Sequence, residues 1–224
     1  MTTGNVASGR VSTGTEERLI EATLELISQE GGSLQVTLRQ ISRRAGCAHT
    51  NVYNYFDTYG DLLWAAFRRG LHTYAEHLVQ GLDASMAAED YLRRTIGNLA
   101  SFPQQNPGLY RFIGSDPIDL ENIPPDLLAS VAAMKRWFAA VVKAAAGSGV
   151  SETDARDTAD IVLAYIDGET LNIINGRVVP DEDPAARVEG NAMRLFELLT
   201  GAPAGRRRTP PPPDTILEPV MTGG

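Results

Sequence analysis

Residues 37–56 read TLRQISRRAGCAHTNVYNYF and carry the strongest structural signal in the chain. Thr37 and the glutamine three residues later have the spacing of a capping box at a helix N-terminus. Gly46 is suited to ending that helix in a left-handed conformation. The polar residues after it are interrupted by Val52 and Phe56, which share one helix face. The pattern predicts two short helices joined by a tight turn, the helix-turn-helix arrangement that reads the DNA major groove.

Together with its flanks, this stretch resembles the signature of the TetR-type (tetracycline-repressor-like) regulators. The resemblance covers about residues 15–66 and rests on Thr37, Ile41, Ala45-Gly46, Val52-Tyr53, Tyr55-Phe56 and Asp61-Leu62-Leu63. Beyond these residues the resemblance is one of architecture. It implies a three-helix DNA-binding domain, followed by a larger helical domain that binds a small molecule and forms a homodimer.

The distribution of charge fits a local DNA contact rather than a protein coated with nucleic acid. The chain has a formal net charge of −8, whereas the charged residues within 37–56 are Arg39, Arg43 and Arg44 only. A broadly nucleic-acid-binding surface would instead be basic throughout. The hydrophobic content of 43% is that of a globular protein with a substantial core.

The cysteine content and the N-terminus indicate a cytoplasmic protein. Cys47 is the single cysteine, which excludes an intramolecular disulfide and fits a reducing compartment. Its small side chain is interpreted as a buried hydrophobe rather than as a redox switch. The N-terminus lacks the apolar segment of a signal peptide, and no apolar run approaches the roughly 18 residues that span a bilayer. We therefore expect no membrane partner.

The rest of the chain shows helical periodicity without strand-like alternation, which predicts an all-α fold of about nine helices. We expect a disordered leader at 1–14, a helix-turn-helix DNA-binding domain at 15–57, a helical ligand-binding and dimerisation domain at 58–201, and a proline-rich disordered tail at 202–224. The leader is too polar to bury a core, and consecutive prolines hold the tail extended. A long helix over 58–80 should connect the two domains.

Binding DNA at a defined site requires side chains that contact phosphates and side chains that reach base edges. The resemblance implies that His49, Thr50, Asn51 and Tyr55 reach base edges and that Thr37, Arg44 and Tyr53 contact phosphates. Asparagine is suited to adenine through a bidentate pair. Tyr53 is interpreted equally as an aromatic that holds the two helices together, and Arg39 and Arg43 equally as a solvated helix face.

The sequence departs from the family pattern at two positions. Tyr59-Gly60 stands where relatives usually have Lys-Glu at the start of the next helix, so no lysine is available there to contact phosphate. We expect the Tyr59 hydroxyl to be a weak substitute for that lysine. Ala48 stands where serine is usual in the turn.

The second half is rich in aromatic residues, which suits an apolar pocket with a few polar groups. The candidate lining residues are Trp64, Phe67, Tyr74, Phe102, Tyr110, Trp137, Tyr165 and Glu169. For each aromatic, a place in the ordinary core remains an open alternative. Asp167, Glu169 and Asn172 interrupt an apolar helix, and they are expected to line the pocket or to face a partner subunit, because a buried acid needs a partner.

We expect neither a cofactor nor a metal ion. His72 and Glu76 share one helix face, but His77 does not, and no further histidine or cysteine lies nearby in sequence. The residues also show no nucleophile beside a base and no phosphate-binding loop, so an enzyme is not favoured.

These observations predict a homodimeric transcriptional regulator, a repressor that a small molecule releases from a near-palindromic operator in double-stranded DNA. Two alternatives stay open. One is a DNA-binding regulator controlled by a protein partner through the proline-rich tail. The other is an all-α enzyme or carrier.

Overall fold

The computed structural model describes residues 14–117, 122–178 and 182–201, and within these ranges the chain is helical without strands. The helices are α1 (Gly14–Glu30), α2 (Leu38–Arg44), a 3₁₀-helix (His49–Asn54), α3 (Tyr59–Leu78), α4 (Ala88–Gln105), α5 (Pro107–Gly114), α6 (Pro125–Ala146), α7 (Glu152–Ile174) and α8 (Pro184–Thr200). The prediction of an all-α fold with about nine helices is confirmed for the described residues. No helix among them is long and apolar enough to cross a membrane.

The predicted leader and the predicted tail lie outside the described residues, except that α1 already begins at Gly14. At the other end, Gly201 closes α8 in the left-handed conformation.

The capping box that the sequence predicts at the start of α2 is present. The Gln40 side-chain oxygen accepts a hydrogen bond from the Thr37 backbone amide at 2.8 Å, and the Thr37 hydroxyl oxygen accepts one from the Gln40 backbone amide at 3.4 Å. Thr58 and Asp61 form the same reciprocal pair at the start of α3. Gly46 follows α2 with φ of 70°, a conformation that a side chain would strain. These local signals fix the ends of the helices around the turn.

The second helix of the predicted helix-turn-helix is a 3₁₀-helix rather than an α-helix. We call His49–Asn54 the recognition segment. Ala48 precedes it with the extended backbone of a capping residue but has no side chain that can cap. Thr50, Asn51 and Val52 have low helix propensity, because β-branching restricts side-chain rotation and asparagine competes for backbone hydrogen bonds. The segment therefore has little local support for a longer helix.

Two hydrophobic cores hold the helices together. The N-terminal core joins α1, α2, the recognition segment and the first part of α3, and it extends to Phe112 of α5 and Leu127 of α6. The C-terminal core joins the end of α3 to α4, α6, α7 and α8. Within α3, Leu71 belongs to the first core and Ala75 to the second. This helix therefore contributes to both cores and connects them.

Candidate DNA-binding surface and ligand cavity

The recognition segment places most of the predicted base-reading side chains on one exposed surface. Val52 is only 1% exposed and anchors the segment in the N-terminal core. His49 and Thr50 are exposed, whereas Tyr55 is half-buried. Tyr53 is 49% exposed, and its ring meets the ring of His49 edge-on. The short helix thus turns its polar side outward because its single aliphatic residue faces the core.

Asn51 is half-buried and already forms one hydrogen bond within this surface. Its side-chain oxygen accepts a hydrogen bond from Asn54 Nδ2 at 2.5 Å. A bidentate pair with adenine needs both the oxygen and the amide nitrogen of an asparagine. Because a carbonyl oxygen has two lone pairs, the hydrogen bond from Asn54 orients the Asn51 side chain and leaves one lone pair for such a contact.

The predicted phosphate contacts lie in different local environments. The Thr37 hydroxyl is engaged in the capping box, where it donates to Gln40 Oε1 at 2.6 Å. The Arg44 guanidinium donates to Glu25 Oε2 and to Gln29 Oε1 of α1, at 2.8 Å each. Arg39 and Arg43 are exposed, and neither pairs with another residue in the described ranges. Of the α2 cations, Arg39 and Arg43 are thus the two that have no partner within the described ranges.

The expectation that the Tyr59 hydroxyl substitutes for a phosphate-binding lysine is wrong. This hydroxyl donates a hydrogen bond to the Val36 carbonyl at 2.8 Å, inside the protein. Burial raises the pKa of Tyr59 above its ordinary value. The tyrosine therefore holds the loop before α2 against α3, and its hydroxyl proton is not directed outward.

Cys47 is half-buried and packs against the N-terminal core, where it acts as a small apolar residue.

The two histidines of α3 that the sequence groups with Glu76 have separate surroundings. His72 Nε2 lies 3.3 Å from Glu76 Oε1, whereas His77 Nε2 lies 3.1 Å from the Ser101 hydroxyl of α4. The described residues contain no cluster of three metal-binding side chains.

A cavity of about 190 Å³ lies between α3, α4, α5, α6 and α7. Four of the predicted lining residues, Phe67, Tyr74, Tyr110 and Trp137, do line it. The remainder of its wall consists mostly of leucine, isoleucine, valine, methionine and phenylalanine side chains. A largely apolar wall with a few polar groups is typical of small-molecule sites.

Four other predicted lining residues lie outside this cavity. Trp64 packs edge-on against Phe67 and lines a separate pocket of about 90 Å³ at the start of α3. Phe102 lies behind the wall, with its ring 4.9 Å from that of Tyr74. Tyr165 is half-buried against the C-terminal core.

The fourth is Glu169, which pairs with Arg187 of α8 at 2.5 Å. Two residues along a helix correspond to a rotation of about 200°, so Glu169 cannot share the direction of Asp167. Helix rotation therefore separates two acids that look equivalent in the sequence. Of the two, Asp167 is the one that lines the cavity.

The polar end of the cavity is built by Tyr110, Asp167 and Lys135. The Tyr110 hydroxyl donates to Asp167 Oδ1 at 2.5 Å, which crosses from α5 to α7. Burial raises the pKa of Asp167, while the hydrogen bond from Tyr110 and the charge of Lys135 act in the opposite direction. Burial, and then the charge of Asp167, raise the pKa of Tyr110. Lys135 is an exposed lysine in a long helix, and the sequence offers no signal that would single it out.

Tyr74 is the second tyrosine of this polar end. Burial raises its pKa most, and the nearby Tyr110 and Asp167 raise it further. Its hydroxyl forms no hydrogen bond with any residue in the described part of the chain. The cavity therefore contains a tyrosine hydroxyl whose hydrogen-bonding capacity the described residues leave unused.

Helix α5 connects the cavity to the helix-turn-helix unit. Its Arg111 donates to the Gly31 carbonyl at the end of α1 at 2.9 Å. The same guanidinium donates to Asn175 Oδ1 at 2.9 Å and to the Ile174 carbonyl, both at the end of α7. Because Tyr110 on the same helix lines the cavity, one short helix contacts both sites.

A second contact fixes the end of α5 to the loop after α1. Asp116 accepts hydrogen bonds from the amide and the hydroxyl of Ser33, each at 2.6 Å. At the other end of α5, Gly108 lies directly against the backbone of Ile27 and Ser28 in α1. The sequence did not indicate these contacts, because they join residues about 80 positions apart.

Comparison with solved structures shows many similar folds. A TetR-like transcriptional regulator from Rhodococcus sp. RHA1 is 14% identical, with 86% of this chain and 100% of that chain covered and a TM-score of 0.64. The fatty acid degradation regulator FadR from Bacillus halodurans is 16% identical, with 89% and 100% covered and a TM-score of 0.63. A tetR-family transcriptional regulator from Streptomyces coelicolor is 18% identical, with 84% and 82% covered and a TM-score of 0.63.

No protein-family model and no curated protein matches the sequence. The structural similarity extends over both the helix-turn-helix unit and the helices that surround the cavity, because it covers more than four-fifths of the chain. The similarity therefore reaches well beyond residues 15–66, on which the sequence resemblance rests. The chain has the fold of the TetR-family transcriptional regulators.

Proposed function

We propose that the protein is a homodimeric DNA-binding transcriptional regulator of the cytoplasm, a repressor that a small molecule releases from a near-palindromic operator. The observation that carries this proposal is the exposed polar surface of the recognition segment, held in a helix-turn-helix on a fold shared with transcriptional regulators. The acid-free sequence of this surface supports it, since phosphates repel carboxylates.

In this proposal, His49, Thr50, Asn51 and Tyr55 read base edges in the major groove. Thr37 and Tyr53 contact phosphates, together with Arg39 and Arg43, which have no partner among the described residues. Arg44 contributes less, because Glu25 already neutralises much of its charge.

Homodimer formation is proposed to use the outer faces of α7 and α8. These faces expose Ile161 by 46%, Leu198 by 74% and Leu199 by 42%. Apolar side chains exposed together on neighbouring helices favour a protein interface. A two-fold axis there would place two recognition segments on successive turns of DNA, about 34 Å apart.

We propose that occupation of the cavity is communicated through α5. A ligand that displaces Tyr110 would move the helix that carries Arg111 and the loop that carries Asp116, and with them the end of α1. The spacing of the two recognition segments would then differ between the free and the bound states. Such a switch works only through a difference in ligand affinity between the two states.

The proposal is tested by footprinting the full chain on the DNA that flanks its own gene. We expect protection of two half-sites about one helical turn apart. Thr50→Ala should weaken this protection about tenfold, as expected when one side chain no longer reaches a base edge. Thr153→Ala is the matched control, because Thr153 is an exposed threonine near the start of α7. Equal protection by the two variants would contradict the assignment of the DNA-binding surface.

A second measurement tests the communication through α5. Arg111→Met keeps a long side chain and removes the hydrogen bonds to α1 and α7. We expect this variant to bind operator DNA but to lose most of the response to a ligand that releases the unmodified protein. An unchanged response would exclude Arg111 from the communication.

A further inference from the structure

The cavity walls restrict the size and shape of a ligand. A cavity of about 150 Å³ lined by apolar side chains holds benzene. The present cavity of about 190 Å³ therefore has room for one six-membered ring with a short side chain. Phe67, Trp137 and Phe138 offer aromatic surfaces to such a ring.

Three oxygen atoms at the polar end of the cavity can accept hydrogen bonds from a ligand. The single hydroxyl proton of Tyr110 points to Asp167 Oδ1, so the Tyr110 oxygen remains an acceptor. Asp167 Oδ2 makes no hydrogen bond with a described residue, and neither does the Tyr74 hydroxyl. A carboxylate and two tyrosine oxygens thus surround one end of an apolar space.

Among the described residues, Lys135 is the only cationic one that lines the cavity. Lys135 is exposed and forms no ion pair with Asp167, although its positive charge lowers the pKa of the Asp167 carboxyl group. Lys135 therefore leaves the carboxylate without a direct cationic partner. Asp167 is exposed as a residue, so its carboxylate lies at the open end of the cavity, where it meets the Tyr110 hydroxyl. A cation bound there gains a charge-assisted hydrogen bond to this carboxylate.

We propose that the cavity binds a small molecule in which a ring-sized apolar body carries a protonated amino group, held by Asp167, Tyr110 and Tyr74. An ammonium group has three donors and no acceptor, which matches three acceptor oxygens. Aromatic faces nearby add cation–π attraction. A ligand carboxylate would instead face Asp167 as a like charge. This inference rests on the proposed function only in treating the bound molecule as the regulatory ligand.

The test is isothermal titration calorimetry of the full chain without DNA, using three probes of similar shape: phenethylamine, phenethyl alcohol and phenylacetate. We expect phenethylamine to bind at least about tenfold more tightly than the alcohol, because a charge-assisted hydrogen bond exceeds a neutral one. Phenylacetate should bind most weakly. Tightest binding of phenylacetate, equal binding of the amine and the alcohol, or no saturable binding of any probe would each overturn the proposal.

Three variants locate the binding. Asp167→Asn should lower the affinity for phenethylamine at least about tenfold and change that for the alcohol less than about threefold. Tyr74→Phe, which retains the ring, should lower the affinity for phenethylamine about three- to tenfold. Asp160→Asn on the exposed side of α7 is the matched control and should change neither. Unchanged amine affinity in both Asp167→Asn and Tyr74→Phe would overturn the assignment.

Because these titrations contain no DNA, their failure is distinguishable from failure of the proposed function. Footprinting in the absence of any probe reports DNA binding alone. If the amine binds, adding it to the protected DNA then shows whether occupation of the cavity releases the protein. Amine binding without release would keep the ligand class and contradict its regulatory role.

Discussion

Replacing Gly108 by alanine tests how closely α5 packs on α1. A Cβ atom at this position would lie 2.5 Å from the Ile27 carbonyl oxygen, 3.0 Å from Ser28 Cα and 3.2 Å from the Ser28 carbonyl oxygen. All three atoms belong to the backbone, so no side chain can rotate away. Insertion of a methyl group into a packed contact costs about 1–3 kcal/mol. The 2.5 Å approach to a backbone atom places this cost in the upper part of the range, at about 2–3 kcal/mol. Alanine is favoured over glycine within a helix by up to about 1 kcal/mol, which leaves a net destabilisation of about 1–2 kcal/mol.

Gly114→Ala, at the other end of α5, is the matched control. Its Cβ atom would meet only the Tyr110 ring, at 3.9 Å and beyond, which is ordinary van der Waals contact. We expect this variant to be more stable than the unmodified protein by about 0.4–1 kcal/mol, because alanine restricts the unfolded chain. The two variants should therefore differ by about 2 kcal/mol, as the sum of these opposite effects.

The assay is urea unfolding followed by helical circular dichroism, at one fixed protein concentration because formation of the proposed dimer would contribute to stability. Gly108→Ala should lower the midpoint of unfolding with little change in the slope. If Gly108→Ala is as stable as Gly114→Ala, the close approach of α5 to α1 is not present in solution, and communication through this contact is refuted.

Four further predictions concern other parts of the molecule. Ala48→Ser supplies the missing cap of the recognition segment and should raise the free energy of unfolding by about 0.5–1 kcal/mol in urea titrations, whereas unchanged stability would show that the cap is not formed. Arg43→Ala should reduce the slope of log affinity against log salt by about 0.9 for each phosphate that the arginine neutralises, and an unchanged slope in fluorescence anisotropy would exclude Arg43 from phosphate binding. Leu198→Glu should yield monomers in sedimentation equilibrium, whereas Leu128→Glu, at another exposed leucine, in α6, should leave the dimer intact. Burial raises the pKa of Asp167 in the folded state above its unfolded value of about 3.9, so between these two pKa values the native state binds more protons than the unfolded state. The free energy of unfolding should therefore fall as the pH rises through this window. In unfolding measurements across pH, Asp167→Asn should flatten that fall.

The helix-turn-helix could be predicted from the sequence because its signals are local. The Thr37 capping box, Gly46 and the apolar positions Val52 and Phe56 act within a few residues of one another. The 3₁₀ geometry of the recognition segment was not predicted, although the missing cap at Ala48 is visible in the sequence. Low α-helix propensity predicts a weak helix but does not predict whether the segment forms an α-helix or a 3₁₀-helix.

The cavity was only partly predictable, because its lining depends on how helices rotate against one another. Tyr74 and Phe102 are both aromatic residues at helical spacing, yet the first lines the cavity and the second packs behind it. Asp167 and Glu169 face different neighbours for the same reason. The contacts of Arg111 join three helices that are distant in sequence, and no local pattern encodes them.

The central claim is that the recognition segment binds a defined site in double-stranded DNA. The most direct measurement selects duplexes from a random pool with the full chain, and then compares the affinity of the selected duplex with that of a scrambled duplex by fluorescence anisotropy at physiological salt. We expect a near-palindromic sequence to be enriched and to bind at least about a thousandfold more tightly than the scrambled duplex. Equal affinity for the two duplexes, or no enrichment from the pool, would contradict the claim.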